Sequence, residues 1–468
     1  VYGWGIVAPR SPNIETFRKN LETSESWLEQ FEEFGPSSFL VGVPEFDFAD
    51  YRPWIDARFP PTRYRQLTSK MEATALYAVG GYIQALGQNP GIETLLQDLG
   101  PQAHVYVGIG MGSLPTIHGE TLELDRAQRV WDRFWAEPSR CPDRSRYEEN
   151  PDRVRAELGD VPPDPSGIED EDDRHDAARV WNAYWAACSP DLRRYLAALT
   201  EIEEASVGGD VEAGKLKLIR DKERSRARLQ ELWRAPDPPW AQVSSNVLWN
   251  IPNTAAAQVS MLAGITGFSF APVAACATFG VCLKVAMDAI RRGEAKAVVM
   301  GATDPPPHPL VVGAFYRGRV LASGDRVSKP LTGLRGAHIA GGAVVWIVGD
   351  REFMEGKGFR PLGMEPVAVG VSSDADHIIT PSKEGPQSAI RQALEVAGIS
   401  PEEMGSWDLH APATPGDYVE MENLSGLLPA DVLVTARKGT FGHGMSAGGG
   451  WELTAQYLGV ERGQLFPT

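Results

Sequence analysis

The sequence is poor in cysteine and in basic residues, and it contains no long uncharged apolar run. Its 4 cysteines in 468 residues provide neither a disulfide framework nor a paired C-x-x-C metal motif, so a reducing cytoplasmic location is expected. Lys and Arg number 45 against 62 Asp and Glu, and the resulting net charge of -17 disfavours nucleic acid or an anionic membrane as the main partner. The opening residues, VYGWGIVAPR, lack the features of a signal peptide, and no stretch predicts a membrane span.

The remaining composition is that of a globular protein, with 43% apolar and 23% charged residues. At about 150 residues per domain, the length predicts two or three domains. Helical and strand patterns alternate up to about residue 114 and again from about residue 241. A layered α/β fold is therefore expected, with strands at VYGWGIVAP, AHVYVGIGMGS, AKAVVMGA, GGAVVWIVG and DVLVTARK.

Residues 115–240 interrupt this pattern and predict a mainly helical insertion rich in Arg, Glu, Asp and Trp. AQRVWDRFWAEPS, from Ala127, reappears as AARVWNAYWAACS, from Ala177. The i, i+3, i+4 spacing places each aromatic trio on one helical face: Trp131, Phe134 and Trp135, then Trp181, Tyr184 and Trp185. These aromatic faces either pack against each other or onto the main body of the protein, or they form a surface that binds a partner or a ligand. The run KLKLIRDKERSRARLQELWR predicts a solvated helix with i, i+4 ion pairs.

Three residues suggest a catalytic site. Cys276 lies between a predicted strand and the first turn of a helix, where unpaired backbone N–H groups and the helix dipole favour a thiolate. Taken alone, Cys276 would first be interpreted as a buried structural cysteine, and that is how we interpret Cys282. His410 closes the run SWDLH, and His443 lies in the glycine-dense VTARKGTFGHGMSAGGG. Because open α/β sheets bind ligands at strand ends, these positions favour one shared site.

The motifs around these residues resemble those of the β-ketoacyl synthases, the elongating condensing enzymes of the thiolase fold. APVAACATFGVCLKVAMDAIRRGEAKAVVMGATD is similar to the family's nucleophile segment, and DLHAPATPGD resembles H-G-T-G-T-P-x-x-D. TARKGTFGHGMSAGG resembles K-x-x-x-G-H-x-x-x-A-x-G, VSSDADHIITPSKEG resembles D-A-x-H-x-x-x-P, and VGIGMGSL resembles an early glycine turn. The resemblance implies a layered α/β/α/β/α fold of two related halves, residues 1–114 with 241–350, and residues 351–468.

What the resemblance implies chemically is a decarboxylative Claisen condensation that needs no metal or organic cofactor. Cys276 would accept an acyl group from an acyl-carrier protein or CoA thioester. His410 and His443 would then hold the oxygen of a malonyl thioester while carbon dioxide leaves, with Lys438 orienting His410. The resemblance further implies a homodimer, a set of substrate contacts and a basic docking surface for the carrier protein. The substrate contacts are Thr414, Met111 and Phe279, and the docking residues are Arg63, Arg65 and Lys70.

The sequence also departs from the family's pattern. Gly341 stands where G-E-G-A-G has its glutamate, so a different charge network is expected around Lys438. Pro412 replaces the first Thr of H-G-T-G-T, and the sequence ends at GQLFPT, before the expected G-F-G-G loop that completes an oxyanion hole. A non-catalytic partner subunit that sets chain length is therefore an alternative. A thiolase would need a late second cysteine, and a starter condensing enzyme would need Asn at His443.

Overall fold

A computed structural model describes residues 1–206, 211–332, 336–375 and 382–468, with residues 211–216 described by their backbone alone. The chain divides into two compact units, Val1–Thr116 with Asn246–Thr468, and Ile117–Ser245. The predicted insertion, 115–240, overlaps the second unit, and both predicted halves fall within the first apart from residues 241–245. Most of the motif DADHIITP lies in residues 376–381, outside the described residues.

The strands of the first unit form one larger sheet and two small ones. Their bounds are β1 Gly3–Val7, β2 Glu29–Gln30, β3 Leu40–Val41, β4 Ala103–Ile109, β5 Ser269–Phe270, β6 Ala297–Asp304, β7 Gly342–Gly349, β8 Ser406–Asp408 and β9 Leu433–Thr435. The larger sheet has the order β1-β7-β6-β4-β5, parallel between β6, β4 and β5 and antiparallel where β7 meets β6 and β1. β8 and β9 form a separate parallel pair.

The helices up to residue 245 are α1 Ile14–Asn20, α2 Arg52–Asp56, α3 Thr62–Lys70, α4 Ala73–Leu86, α5 Ile92–Leu99, α6 Leu114–Trp135, α7 Pro142–Glu149, α8 Pro151–Leu158, α9 Glu171–Cys188, α10 Pro190–Glu204, α11 Val211–Trp233 and α12 Pro239–Gln242. Those that follow are α13 Asn246–Trp249, α14 Thr254–Ala263, α15 Thr278–Arg291, α16 Pro309–Arg317, α17 Arg351–Gly356, α18 Glu384–Ala397, α19 Gly416–Leu424, α20 Lys438–Phe441 and α21 Met445–Glu461. In the described residues, no helix combines the length and apolarity needed to cross a bilayer.

The larger sheet is covered by helices on both faces. Val298 and Met300 of β6 pack in the core that contains residues of α15 and α21, whereas Val299 packs in the core that contains residues of α4 and α14. Because successive side chains of a strand alternate between faces, burial of both faces explains the nearly continuous apolar runs of these strands. A β-carbon on Gly5 would lie 1.9 Å from the carbonyl oxygen of Gly81, so β1 and α4 approach too closely for any side chain there.

One predicted helix is interrupted. SKMEATALYAVGGYIQALG predicts a single long helix, but α3 ends at Lys70 and α4 begins at Ala73, so that prediction is wrong. Met71 and Glu72 are extended, and the Glu72 N–H donates to Oδ1 of the buried Asn250 at 2.8 Å. A hydrogen bond to a distant residue therefore replaces a helical one, which local periodicity does not reveal.

The second unit has its own aromatic core. Trp131 and Trp135 pack around Tyr195, with ring centroids 5.7 and 5.2 Å away. Trp181 and Trp185 pack around Tyr147, at 5.2 and 5.4 Å. The tryptophans of each repeat thus contact the tyrosine that follows the other repeat, and the repeated faces pack within this unit.

α11 carries part of the predicted charged run. We expected i, i+4 ion pairs along it, but Arg226 pairs across to Glu203 of α10 at 2.5 Å, and Arg224 pairs with Asp221 at i, i+3. The described part of this helix is therefore tied to its neighbour by charge. The i, i+4 pattern does not predict the pairing of Arg226, because its ionic partner, Glu203, belongs to another helix.

Candidate active site

Cys276 lies in a tight turn that links β5 to α15. The turn is a 3-10 helix over Ala275–Ala277, and Ala275 adopts a positive φ of 46°. Thr278 Oγ1 accepts the Ala274 N–H at 2.9 Å and donates to the Ala275 carbonyl at 2.8 Å, which fixes the turn. A non-glycine residue at positive φ is strained, and such strain concentrates at functional sites.

His410 follows β8 and is held by a carboxylate. Glu420 of α19 accepts the backbone N–H groups of His410 and Ala411, both at 2.9 Å. His410 is exposed as a residue, but its side chain lines the same cavity as Cys276 and Lys438. Its pKa lies well below the usual histidine value because the protein around the ring desolvates it and the Lys438 cation repels a second positive charge. His410 is therefore a neutral imidazole near pH 7.

His443 is buried, and the structure indicates its tautomer. The backbone N–H of His443 donates to the backbone carbonyl of His338 at 2.6 Å, and the backbone carbonyl of His443 accepts the Ala340 N–H at 2.9 Å. Nδ1 of its ring accepts the Met445 N–H at 3.1 Å, so the proton of the neutral ring is on Nε2. Burial, assisted by Lys438, lowers the pKa of His443 to about 3. The ring is thus a neutral donor through Nε2.

The structure brings Cys276, His410 and His443 together. Their sulfur and ring nitrogen atoms lie within 4.8 Å of one another, and the two imidazole centroids are 5.4 Å apart. All three line a cavity of about 450 Å³, together with Lys438 and Phe279. One thiol and two imidazoles therefore face the same small volume, an arrangement that suits acyl transfer chemistry.

Lys438, at the start of α20, is paired with a carboxylate that sequence reasoning did not identify. Its Nζ donates to Glu452 Oε1 at 2.6 Å, and both side chains are buried. Burial raises the pKa of Glu452 to about 7, although the Lys438 charge opposes the shift. The charge network around Lys438 thus differs from the family's pattern, because the carboxylate that pairs with Lys438 comes from α21.

Gly341 has a steric explanation. A β-carbon there would lie 2.1 Å from the carbonyl oxygen of Pro305 and 2.7 Å from its carbonyl carbon. No side chain fits without moving the backbone, so a glutamate is excluded at this position. The backbone path at Gly341 is therefore compatible only with glycine.

The protonation expected for Cys276 is wrong in this structure. The sequence predicts a thiolate stabilised by a helix N-terminus, but burial raises the pKa of the Cys276 thiol, with Lys438 only partly opposing it. α15 begins after Cys276, at Thr278. Cys276 is therefore expected to be a thiol, and not a thiolate, near neutral pH.

The spacing of these groups also suits a metal ion, but the donor chemistry does not. Binding through Nε2 of His443 would require the ring proton on Nδ1. That proton would face the Met445 N–H, which already donates to Nδ1. A cation would also approach the Lys438 ammonium. The cluster is therefore built to donate hydrogen bonds rather than to ligate a metal.

The predicted substrate residues are only partly gathered at the cavity. Phe279 lines it and packs edge-on against Trp346, 5.2 Å between centroids. Thr414 and Met111 do not line this cavity. Thr414 lies just before α19, and its backbone N–H donates to Asp417 Oδ1 at 3.1 Å. The Met111 N–H donates to the buried Asp304 Oδ1 at 2.6 Å.

The predicted docking residues do not form one exposed cluster on α3. Arg63 Nη2 donates to Gln258 at 3.2 Å, and burial lowers the pKa of this arginine. Lys70 Nζ lies 4.3 Å from the ring centroid of Trp249. Arg65 lines an open cavity of about 420 Å³ with Arg52. Arg65 therefore has a basic neighbour from α2 in place of the two predicted ones.

Three supporting residues escaped sequence reasoning: Glu452, Glu420 and His338. Glu452 is an isolated acid in the small and apolar run MSAGGGWELTAQY, a pattern that favours a buried, paired charge. Glu420 lies one helical turn beyond Asp417, where it reaches the chain at His410. His338 is buried and accepts the Ser328 N–H at 2.8 Å, and nothing in the sequence distinguishes it from a surface histidine.

Comparison with known proteins identifies the family. Residues 221–350 match the model "Beta-ketoacyl synthase, N-terminal domain", and residues 365–468 match "Beta-ketoacyl synthase, C-terminal domain". The chain belongs to the β-ketoacyl synthase family, so the resemblance predicted from its motifs is confirmed. It is 30% identical over 228 residues to the chloroplastic 3-oxoacyl-[acyl-carrier-protein] synthase I of Arabidopsis thaliana, covering 47% of this chain and 48% of that protein.

A 3-oxoacyl-[acyl-carrier-protein] synthase 2 of Staphylococcus aureus is also 30% identical, over 47% of this chain and 56% of that protein. The chain thus spans about half the length of these curated relatives. Among solved structures, "The ishigamide ketosynthase/chain length factor" matches 99% of this chain and 86% of that chain, with a TM-score of 0.63 and 18% identity. The expected thiolase-like α/β fold is confirmed.

Proposed function

We propose that this chain catalyses a decarboxylative Claisen condensation between an acyl group on Cys276 and a malonyl thioester. The observation that carries the proposal is the arrangement of one thiol and two neutral imidazoles in a single cavity, within 4.8 Å of one another. The names of the curated relatives favour acyl-carrier protein over CoA as the thioester carrier. Fatty-acid and polyketide synthesis both use this reaction.

In the first half-reaction, Cys276 Sγ attacks the carbonyl of an acyl thioester. The thiol proton leaves with the carrier thiol, which is released as the acyl–Cys276 bond forms. The buried Lys438 ammonium favours the thiolate that this step needs, because its charge acts against the burial that raises the pKa of Cys276. Splitting the condensation in this way replaces one difficult step with two easier ones.

In the second half-reaction, His443 Nε2–H and the His410 ring donate to the thioester oxygen of the malonyl group. Negative charge develops on that oxygen as carbon dioxide leaves and an enolate forms. Neutral donors fixed in a cavity stabilise this charge without a proton transfer. The enolate carbon then attacks the acyl carbonyl, and the Cys276 thiolate is released.

Intact-protein mass spectrometry after incubation with acyl-carrier protein tests the first step. The wild-type protein should gain the acyl mass, Cys276→Ala should not, and the matched control Cys282→Ala should behave as wild type. For the second step, His410→Ala and His443→Ala should each reduce release of carbon dioxide from malonyl-carrier protein by at least ~100-fold while Cys276 is still acylated. Normal decarboxylation in either variant would remove that histidine from the mechanism.

The alternative of a non-catalytic, chain-length-determining subunit loses one of its supports. Gly341 suggested eroded catalysis, but packing against Pro305 explains it, and Glu452 provides Lys438 with a carboxylate. If the alternative is correct, the isolated chain stays unacylated at Cys276 and alters product length only beside a second condensing enzyme.

For carrier docking we propose Arg65 with Arg52, since Arg63 and Lys70 contact Gln258 and Trp249 instead. Acyl-carrier proteins are acidic, so an exposed arginine pair on a chain of net charge -17 would steer their approach. Arg65→Glu should raise KM for carrier-bound substrate at low salt and leave turnover of a short pantetheine thioester unchanged. Equal KM values would reject this surface.

We also propose a homodimer formed through the β5 edge of the larger sheet. The sheet order ends at β5, and the apolar side chains of Phe268 and Val273 on either side of it are 59% and 63% exposed. A second copy that paired with this edge would cover them. Light scattering should show a dimer for the wild-type chain and a monomer for Phe268→Asp. The prediction that Met111 lines the acyl tunnel of such a dimer is tested by Met111→Trp, which should disfavour long acyl chains.

A further inference from the structure

The second unit contains a cavity that the proposed condensation does not use. It has a volume of about 890 Å³ and lies between α10, α11 and the segment that leads into α12. All of its lining residues belong to this helical unit. The cavity is thus larger than the one around Cys276, and neither the catalytic residues nor the predicted carrier-docking residues line it.

One wall of the cavity is an exposed tryptophan. Trp240 of α12 is 58% exposed, although Trp131 contacts its ring at a centroid distance of 5.9 Å and an interplanar angle of 62°. This edge contact holds the ring in place and leaves much of its surface open. No cationic side chain of the described residues lies over the Trp240 ring. A fixed and open indole is a binding platform for a cation.

The rim of the cavity is acidic. Glu203, Glu223 and Asp237 line it against one guanidinium, that of Arg226, which is paired with Glu203 at 2.5 Å. Asp237 accepts hydrogen bonds from the side-chain amides of Gln230 and Gln242, which are neutral and leave its charge uncompensated. Negative charge therefore remains beside the open tryptophan.

A tyrosine also lines this cavity. Tyr195 is only 1% exposed, and its ring packs against Trp131 and Trp135 with centroids 5.7 and 5.2 Å away. Burial and the nearby Asp237 carboxylate raise the pKa of Tyr195, so its hydroxyl stays protonated. The wall beside Trp240 is therefore aromatic as well as acidic.

We propose that this cavity binds an organic cation with an apolar body, such as a quaternary or protonated amine. The cationic group would lie on the face of Trp240 beside Asp237 and Glu223, and the apolar body would contact the leucine and alanine side chains between α10 and α11. The site is independent of the condensation reaction, because no residue of the cavity belongs to the first unit.

Choline and its neutral isostere 3,3-dimethylbutan-1-ol provide a matched pair of probes for calorimetric titration of the full chain. Choline should bind more tightly than the alcohol, and 0.5 M NaCl should weaken its binding. Trp240→Ala and Asp237→Asn should each weaken choline binding about 5-fold or more. Leu232→Ala and Asp221→Asn remove similar groups from α11 outside the cavity and should leave it unchanged.

Three outcomes overturn the proposal: equal affinity for choline and the alcohol, no choline binding up to millimolar concentration, or unchanged binding in Trp240→Ala. Trp240 is largely exposed, so its variant should fold, and a far-ultraviolet spectrum matching the wild type establishes this. Acylation of Cys276 should be normal in every variant. Failure of this proposal is thereby distinguishable from failure of the proposed condensation.

Discussion

Replacement of His443 should change how the stability of the first unit depends on pH. His443→Asn is the informative variant, because the asparagine Oδ1 can take the place of Nδ1 as acceptor for the Met445 N–H, while the titratable ring is lost. The folded protein holds the pKa of His443 at about 3, against about 6.5 for an unfolded histidine. Folding therefore favours the neutral ring.

The sign and size of the effect follow from this difference. A histidine whose pKa is lowered by folding contributes stability above pH 6.5 and loses it as the pH falls toward 3. Between pH 7 and pH 5 the wild-type chain should lose about 2 kcal/mol of unfolding free energy through His443 alone. The variant lacks this loss, so the stability difference between the two proteins should shrink by about 2 kcal/mol over the same range.

Urea unfolding at pH 7, 6 and 5 measures this effect, with hydrogen exchange of peptides from β6 and β7 reporting the first unit alone. His308→Asn is the control, because His308 also accepts a backbone N–H through Nδ1, from Leu310 at 3.3 Å, but is only partly buried. Its stability difference from wild type gives the pH dependence contributed by a half-buried histidine, for comparison. If His443→Asn and wild type lose stability in parallel, the ring is free to accept a proton and the assignment of His443 as a neutral donor is refuted.

Three further changes probe the site. Glu452→Gln leaves the buried Lys438 without its counter-charge and should lower the unfolding free energy, measured in urea, by about 3–5 kcal/mol. The control Glu395→Gln, on the exposed face of α18, should leave the unfolding free energy unchanged. If Glu452→Gln is as stable as the wild type, the buried ion pair is contradicted. Gly280→Leu fills open space in the Cys276 cavity, so it should reduce loading of long acyl groups more than loading of acetyl, as measured by mass spectrometry. The control Gly313→Leu, on α16, should not change the ratio of long-chain to acetyl loading. If Gly280→Leu also leaves this ratio unchanged, Gly280 does not border the acyl chain. Iodoacetamide should alkylate Cys276 more than ~10-fold faster at pH 9 than at pH 7, because burial raises the pKa of the thiol and the thiolate fraction below that pKa grows with pH. A rate that is flat over this range would indicate a thiolate.

Local sequence patterns predicted much of the fold and the three central residues of the site. Apolar runs marked β4, β6 and β7, and positions that follow β5, β8 and β9 directed attention to Cys276, His410 and His443. The strand predictions succeed because strands buried on both faces have a distinctive composition. The three residues were singled out because functional side chains often follow strand ends, and their catalytic roles stay predictions. Their positions at strand ends favoured one shared site, and the family resemblance then implied that they lie close together.

The features that sequence reasoning missed depend on contacts between distant segments. The break between α3 and α4 is fixed by Asn250, and the direction of Arg63 is fixed by Gln258. Neither partner is near in sequence, so no local pattern reports it. The pKa of Cys276 was mispredicted for a similar reason, because its position before a helix suggested a thiolate while burial by surrounding segments decides otherwise.

Glu452 supplies the carboxylate that the family motif would place at position 341, where this chain has Gly341. The family pattern places a glutamate at Gly341, and its absence suggests that Lys438 lacks a counter-charge. The Pro305 carbonyl leaves no room for a side chain there, so the backbone path and a glutamate at that position exclude each other. An unpaired buried ammonium would cost several kcal/mol, which requires a carboxylate from elsewhere in the fold. Glu452 reaches Lys438 at 2.6 Å from α21, the helix whose first turn also contains Met445, the backbone donor to His443. One helix therefore both neutralises the lysine and sets the tautomer of the histidine, which ties the charge of the site to the direction of its hydrogen-bond donor.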